Sequence, residues 1–208
     1  MITQNETSQN ATTPEMAIQL LKDGNNRFLE NNRIARDYHS QVKETSTGQF
    51  PFAVVLSCVD SRIPTEIIFD QGIGDFFSAR IAGNFVNEDI LGSMEFACKL
   101  SGAKLIVVMG HTACGAVKGA CDNAELGNLT GLLNKLKPAI AQVKTEPDTD
   151  RSSKNSKFVD DVALKNVEIT IEDIKNKSDV LNEMLQNKEI DIVGAMYNIE
   201  TGGVNFLT

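Results

Sequence analysis

Five short apolar runs punctuate the chain. Residues 52–56 (Phe-Ala-Val-Val-Leu), 76–81, 105–109 (Leu-Ile-Val-Val-Met) and 190–197 are rich in Val, Ile and Phe and are bounded by turn residues. Runs of this length and composition predict strands of a parallel sheet, the first and third of them buried on both faces. Residues 204–207 follow the turn Thr201-Gly202-Gly203 and predict a last, short edge strand. Between the runs the period changes to that of a helix. Thr13-Pro14-Glu15 is a helix start, with Thr as cap, Pro in the first turn and Glu on the positive end of the dipole. Ala17, Leu20, Leu21, Gly24 and Phe28 then form one apolar stripe that ends near Asn31-Asn32. A short helix is expected to start at Ile63-Pro64-Thr65-Glu66 and run through about Phe69. A longer one is expected over 90–100, through Leu91, Met94, Phe96, Ala97 and Leu100, closed by Gly102. Further helices are predicted from Cys114-Gly115 towards Cys121, over 131–143 with an interruption at Pro138, over 159–175, and after Ser178-Asp179. Residues 1–12 are polar and read as a flexible tail, 36–40 as a polar connector, and 144–156 as a surface loop.

Strands alternating with helices predict an α/β fold. The expected architecture is a central, mostly parallel sheet of four strands plus a C-terminal edge strand, flanked by helices. An N-terminal helical arm spans 13–35. The 208 residues fit a single domain over 1–208, without internal repeats or a second-domain linker.

Ligands of open α/β sheets bind at the carboxyl ends of the strands. Cys58 follows the first run, and His111 and Cys114 follow the third. Two thiols and an imidazole are donors that suit zinc. Three protein ligands, instead of the four that close a structural site, leave a position for water. Asp60 and Arg62 stand two and four residues beyond Cys58. In extended chain they share one face, so Arg62 can hold the Asp60 carboxylate in one orientation. Cys98 reads as core filler, Cys121 as a thiol outside the ligand set, and His39 as a solvated histidine. Gly72-Ile73-Gly74 is a turn and lacks the third glycine of a dinucleotide fingerprint. A phosphatase-type Cys-x5-Arg loop would need arginine at the position of Pro64.

Charge narrows the partners. A formal net charge of −8 opposes a phosphate backbone, so no nucleic-acid partner is expected. No apolar run is long enough to span a bilayer, so no membrane role is expected either. The N-terminal residues have neither the basic region nor the apolar core of a secretory signal. The cysteines then read as reduced thiols of a cytoplasmic protein.

The pair Cys58-Val59-Asp60-Ser61-Arg62 and Gly110-His111-Thr112-Ala113-Cys114-Gly115 resembles the β-class carbonic anhydrases. Gln49-Phe50-Pro51, Gly74-Asp75-Phe76-Phe77, Arg80-Ile81-Ala82-Gly83-Asn84, Ser93-Met94-Glu95-Phe96-Ala97 and Gly194-Ala195-Met196-Tyr197 extend the likeness over nearly the whole chain. The resemblance implies one Zn2+ per chain on Cys58, His111 and Cys114. It implies reversible hydration of CO2 to bicarbonate by attack of zinc-bound hydroxide, with Asp60 and Arg62 as the catalytic pair. Gln49, Phe77, Phe96 and a backbone N–H near Gly115 are then the substrate-binding positions. Many plant-type members carry tyrosine where this chain has Phe96, so a hydroxyl is missing there. The arm over 13–35 is expected to pack on a partner subunit of a homodimer or of an assembly of dimers. Gln49, and Val55 at a position where the bicarbonate-regulated subgroup has tryptophan, imply the plant-like, open-site subgroup. A CS2 or COS hydrolase on the same fold, or a non-catalytic zinc or thiol sensor, are the alternative readings.

Overall fold

In the computed structural model, which describes residues 3–207, the chain folds around a five-stranded sheet. The strands are β1 (Ala53–Ser57), β2 (Phe76–Arg80), β3 (Leu105–His111), β4 (Asp191–Tyr197) and β5 (Val204–Phe206), in the order β2-β1-β3-β4-β5. The first four pair in parallel and β5 pairs antiparallel with β4, as the sequence pattern predicts. Every residue of β1 and β3 is buried, in keeping with unbroken apolar runs at the centre of the sheet. The edge strand β2 has only half-buried and exposed positions.

β3 runs two residues beyond its apolar core. Gly110 and His111 pair with Met196 and Tyr197 of β4. A Cβ on Gly110 would sit 2.8 Å from both Met196 Sδ and Val167 Cγ2, so a larger residue there would force those neighbours to shift. This extension makes His111 the last strand residue. Ser57 lies opposite Met109, so Cys58 leaves β1 level with Gly110, one residue from His111.

Helices cover both faces of the sheet. In chain order they are α1 (Glu6–Ala11), α2 (Pro14–Leu29), α3 (Tyr38–Glu44), α4 (Thr65–Ile68), α5 (Glu88–Glu95), α6 (Gly115–Cys121), α7 (Gly127–Asn134), α8 (Lys137–Gln142), α9 (Ser156–Lys177) and α10 (Asp179–Gln186). Val55, Val107 and Met109 face a core completed by Leu21 of α2, Val117 of α6 and Phe158, Val159 and Val162 of α9. Val54, Leu56, Ile106 and Val108 face the opposite core, with Leu91 and Met94 of α5, Leu181 of α10 and Ile174 of α9. α9 therefore crosses from one core to the other.

Several boundaries differ from the sequence pattern for local reasons. Glu6–Ala11, expected to be flexible, is a helix with a capping box between Asn5 and Ser8. It docks through buried Gln9, whose amide donates to the Pro51 and Ser101 carbonyls. Met1 and Ile2 lie outside the described residues. The connector over 36–40 gives way to α3, because Asp37 caps it by accepting the Ser40 N–H. The helix predicted over 90–100 is α5 followed by a π-helical turn, Phe96–Leu100. The segment over 131–143 divides into α7 and α8, and Pro138 opens the second instead of interrupting one helix.

α2 begins as predicted, with the Thr13 side chain accepting the Met16 N–H. Its Ala17, Leu21, Gly24 and Asn25 are buried against its own chain. Asn25 donates to the Ile68 and Gly202 carbonyls and accepts the Val204 N–H. Met16, Leu20 and Leu29 stay exposed on the outer face.

Candidate metal centre

Cys58, His111 and Cys114 converge at the carboxyl ends of β1 and β3. All three are buried, and their ligand atoms lie within 4.8 Å of one another. Among the described residues Cys121 belongs to no such group. His39 is exposed on α3.

Each ligand is set by backbone bonding around it. His111 Nδ1 lies 2.9 Å from the Thr112 carbonyl oxygen, which places the proton on Nδ1 and leaves the Nε2 lone pair available. Nε2 is buried and has no hydrogen-bond partner. The turn from His111 to Cys114 puts Ala113 in the left-handed region, at φ 54°. Its N–H is accepted by Asp160 Oδ1 of α9 at 2.8 Å. Thr112 is tied to the end of β4, donating its N–H to the Tyr197 carbonyl and accepting the Ile199 N–H on its hydroxyl. Cys114 is the N-cap of α6. Cys58 Sγ accepts the Gly83 N–H at 3.4 Å. Gly83 has φ 80°, a conformation glycine adopts without cost. Asn166 of α9 donates to the Gly83 carbonyl at 2.8 Å.

The electrostatics favour a cation. Hydrogen bonding from Cys114 pulls the Cys58 thiol down despite burial. The same pairing, with burial, pushes Cys114 up. Two buried thiols this close cannot both ionise unless positive charge enters between them. A divalent soft-to-borderline metal would supply that charge and also satisfy the orphaned Nε2, so the residues present fit zinc.

Asp60 and Arg62 meet, but through a turn instead of an extended segment. The Ile63 N–H donates to the Asp60 carbonyl, and the Arg62 N–H donates to Asp60 Oδ1 at 3.0 Å, an Asx-type turn. The guanidinium then grips the carboxylate twice, Nε to Oδ1 at 2.9 Å and Nη2 to Oδ2 at 2.6 Å. Arg62 holds the Asp60 carboxyl well below the usual carboxylate range. Arg80, from the end of β2, ties down the same loop by donating to the Cys58 and Asp60 carbonyls, at 3.0 and 2.6 Å.

The other expected site residues lie elsewhere, Gly115 excepted. Gly115 is the exposed first residue of α6, where its N–H falls outside the helical ladder. Phe77 pairs in register with Val54, four residues before Cys58, so about 13 Å of strand separates their levels. Its ring meets that of Phe96 edge-on, with centroids 5.9 Å apart, on the face opposite the core that holds Cys58 and Cys114. Phe96 is 48% exposed. Gln49 is exposed and precedes β1, beyond its amino end. Asp160 and Asn166 escaped the sequence reading. Asn166 and Thr170 are buried within α9, and polar residues inside an imperfect apolar stripe were the available sign.

Comparison with known proteins agrees with this geometry. A family model described as carbonic anhydrase matches residues 53–204. Carbonic anhydrase 2 of Mycobacterium tuberculosis is 35% identical over 196 residues, covering 92% of this chain and 91% of that protein. The carbonic anhydrase of Mycolicibacterium smegmatis is 34% identical over 199 residues, with 93% of each covered. Among solved structures, the β-carbonic anhydrase CafA of Aspergillus fumigatus superposes with a TM-score of 0.70 at 26% identity, covering 81% of each chain. The Coccomyxa β-carbonic anhydrase shares the fold, with a TM-score of 0.71 at 20% identity over 81% of this chain and 77% of that one. A parallel sheet with two cysteines and a histidine at its carboxyl edge, a matching family model and relatives aligned over nine-tenths of their length lead to one assignment: the chain belongs to the β-class carbonic anhydrase family.

Proposed function

We propose that this protein catalyses the reversible hydration of CO2 to bicarbonate and a proton, at one Zn2+ per chain held by Cys58, His111 and Cys114. The observation that carries the reading is the buried thiol–imidazole–thiol group with its orphaned Nε2, beside an ion-paired Asp60. Bound zinc acts as a Lewis acid and lowers the pKa of water into the neutral range. Asp60 supplies acceptor oxygens that orient the attacking water. Arg62 keeps Asp60 ionised and fixes its direction through three hydrogen bonds. Arg80 holds the loop that carries both Cys58 and Asp60. The Gly115 N–H is free to meet a substrate oxygen. Asp60 engaged by Arg62, with Val55 in place of tryptophan, supports the plant-like open-site subgroup.

Gln49, Phe77 and Phe96 stand too far along the sheet to serve their own chain's ligands. In a homodimer, or an assembly of dimers, they line the partner's centre instead. The exposed Phe96 ring and the exposed Met16, Leu20 and Leu29 of α2 offer surface for that contact. A solved β-carbonic anhydrase pair from Sordaria macrospora is described as tetrameric. Among the described residues no helix is long and apolar enough to cross a membrane. The free thiols Cys58, Cys98, Cys114 and Cys121 suit the reducing cytoplasm.

Metal analysis followed by stopped-flow CO2 hydration tests the reading. Near-stoichiometric zinc and rapid hydration are expected. Zinc-loaded protein that hydrolyses COS or CS2 but does not hydrate CO2 would replace the substrate. Zinc-loaded protein inert to all three would favour a sensor.

A further inference from the structure

We propose that Asp160 is a positioning residue of the metal centre, acting through the backbone of Ala113. The inference rests on the reading that Cys58, His111 and Cys114 hold a metal. His111 and Cys114 are separated by two residues, so the conformation of Thr112-Ala113 sets the distance and angle between two of the three ligands. Ala113 sits at φ 54°, a region that residues other than glycine enter only when the surroundings hold them. Asp160 Oδ1 accepts the Ala113 N–H at 2.8 Å, a contact between residues 47 apart in the chain. A carboxylate is a strong acceptor for a backbone N–H, and here it binds the one residue of the turn whose backbone is strained.

The helix that carries Asp160 also reaches the other ligand. Asn166 donates to the carbonyl of Gly83, whose N–H meets Cys58 Sγ. Thr170 donates to the Asn84 carbonyl at 3.4 Å. Positions 160, 163, 166, 167 and 170 lie within about 120° of the helix circumference, so one face of α9 addresses both ligand loops. Ala163 and Val167 on that face pack into the cores, which fixes the helix against the sheet. Asp160 thus holds His111 and Cys114 in register with Cys58 before any metal arrives. Its effect belongs to the geometry of the ligand set, with no contact to substrate required.

The test compares Asp160→Ala, which removes the acceptor, with Asp160→Asn, which keeps an oxygen at the same place. Asp161→Ala serves as control, since Asp161 pairs only with Lys157 on the surface of the same helix. Zn2+ affinity is read by competition with a chromophoric chelator, and ligand geometry by the visible bands of the Co2+-substituted protein. Outer partners of metal ligands typically contribute roughly 10–100-fold in affinity. Asp160→Ala should therefore weaken Zn2+ binding by about that factor and shift the Co2+ bands, while Asp160→Asn restores both. Asp161→Ala should match the wild type. Circular dichroism of the metal-free proteins identifies a variant that fails to fold. In that event Asp160→Glu, which keeps the carboxylate but moves it by one methylene, decides, because shifted bands support positioning and an unshifted spectrum overturns it. Wild-type affinity and an unshifted Co2+ spectrum in Asp160→Ala would overturn the positioning role alone. Wild-type protein that takes up neither Zn2+ nor Co2+ would overturn the metal reading and this inference with it.

Discussion

The two ends of the central strands are built differently. At the carboxyl ends, Cys58, His111 and Cys114 are buried, and the turn between the ligands of β3 has its backbone donors bonded to groups from β4 and α9. Towards the amino ends and the β2 edge, Gln49 is exposed, Phe96 is half-exposed, and Phe77 and Phe96 lean on each other at the rim of a groove. The first region is complete within one chain. The second is a surface with aromatic rings and an amide and no ligand atoms. A buried donor set must be held by its own fold, because mispositioned thiols and imidazole cost desolvation whatever the partner does. Under the proposed assembly, rings and an amide that would serve a partner's centre can wait at an edge until a second subunit covers them.

Breaking the complete region should have the largest effect. Cys114→Ser should abolish CO2 hydration and remove most of the zinc, read by stopped flow and metal analysis, whereas Cys121→Ser should keep both. A zinc-free Cys121→Ser protein would show that the ligand thiols were misassigned. Asp60→Asn should retain zinc and lower kcat/KM by roughly 10–100-fold, the range for groups that orient a metal site. Full activity in that variant would remove Asp60 from the mechanism.

The edge region is sharpened by complementation. Gln49→Ala should lower kcat/KM by about tenfold, the effect of one lost hydrogen bond of about 1.4 kcal/mol. If Gln49 serves the partner, mixing Gln49→Ala with inactive Cys114→Ser protein under subunit exchange should give more activity than the two measured apart. Mixed dimers then contain one site with an intact triad and an intact glutamine. A strictly additive result would place Gln49 in its own chain's site or outside catalysis.

A stability experiment probes what holds the edge side together. Arg27, in the last turn of α2, and Arg36, on the stretch leaving it, converge on Asp70, which follows α4. Desolvation raises the Asp70 pKa, but the hydrogen bonds from Arg27 and Arg36 outweigh it and leave the carboxyl below its ordinary value. A folded pKa below the unfolded one stabilises the protein above about pH 3.9, and that contribution is lost as pH falls through the folded value. Asp70→Asn leaves Arg36 buried without its counter-charge and should cost about 3–5 kcal/mol at pH 7. Urea unfolding should show the gap to wild type narrowing below about pH 3.9. A gap independent of pH would mean that the ion pair contributes nothing. The smallest change expected is Phe96→Tyr: the ring is half-exposed, so unfolding free energy should move by no more than about 0.5 kcal/mol.

The sequence by itself determined the strands, their mostly parallel pairing and which three residues form the candidate metal group. Apolar runs and the spacing of Cys58, His111 and Cys114 are local patterns, and their consequences follow from burial and donor chemistry without knowledge of distant neighbours. Helix starts at Thr13 and Ser178 were legible for the same reason, since a capping side chain meets an N–H three residues away. Helix ends, the split of 131–143 and the helix over Glu6–Ala11 were not, because contacts such as Gln9 with Pro51 and Ser101 settle them. Only the tertiary structure decided that β1 meets β3 in the register that sets Cys58 beside His111. It also decided that Asp60 reaches Arg62 through a turn, and that Phe77 and Phe96 face away from their own chain's ligands. Asp160 shows why most sharply. A lone aspartate on a helix carries no mark of function in the sequence, and its role arises from an N–H 47 residues away that has no other acceptor once the chain is folded.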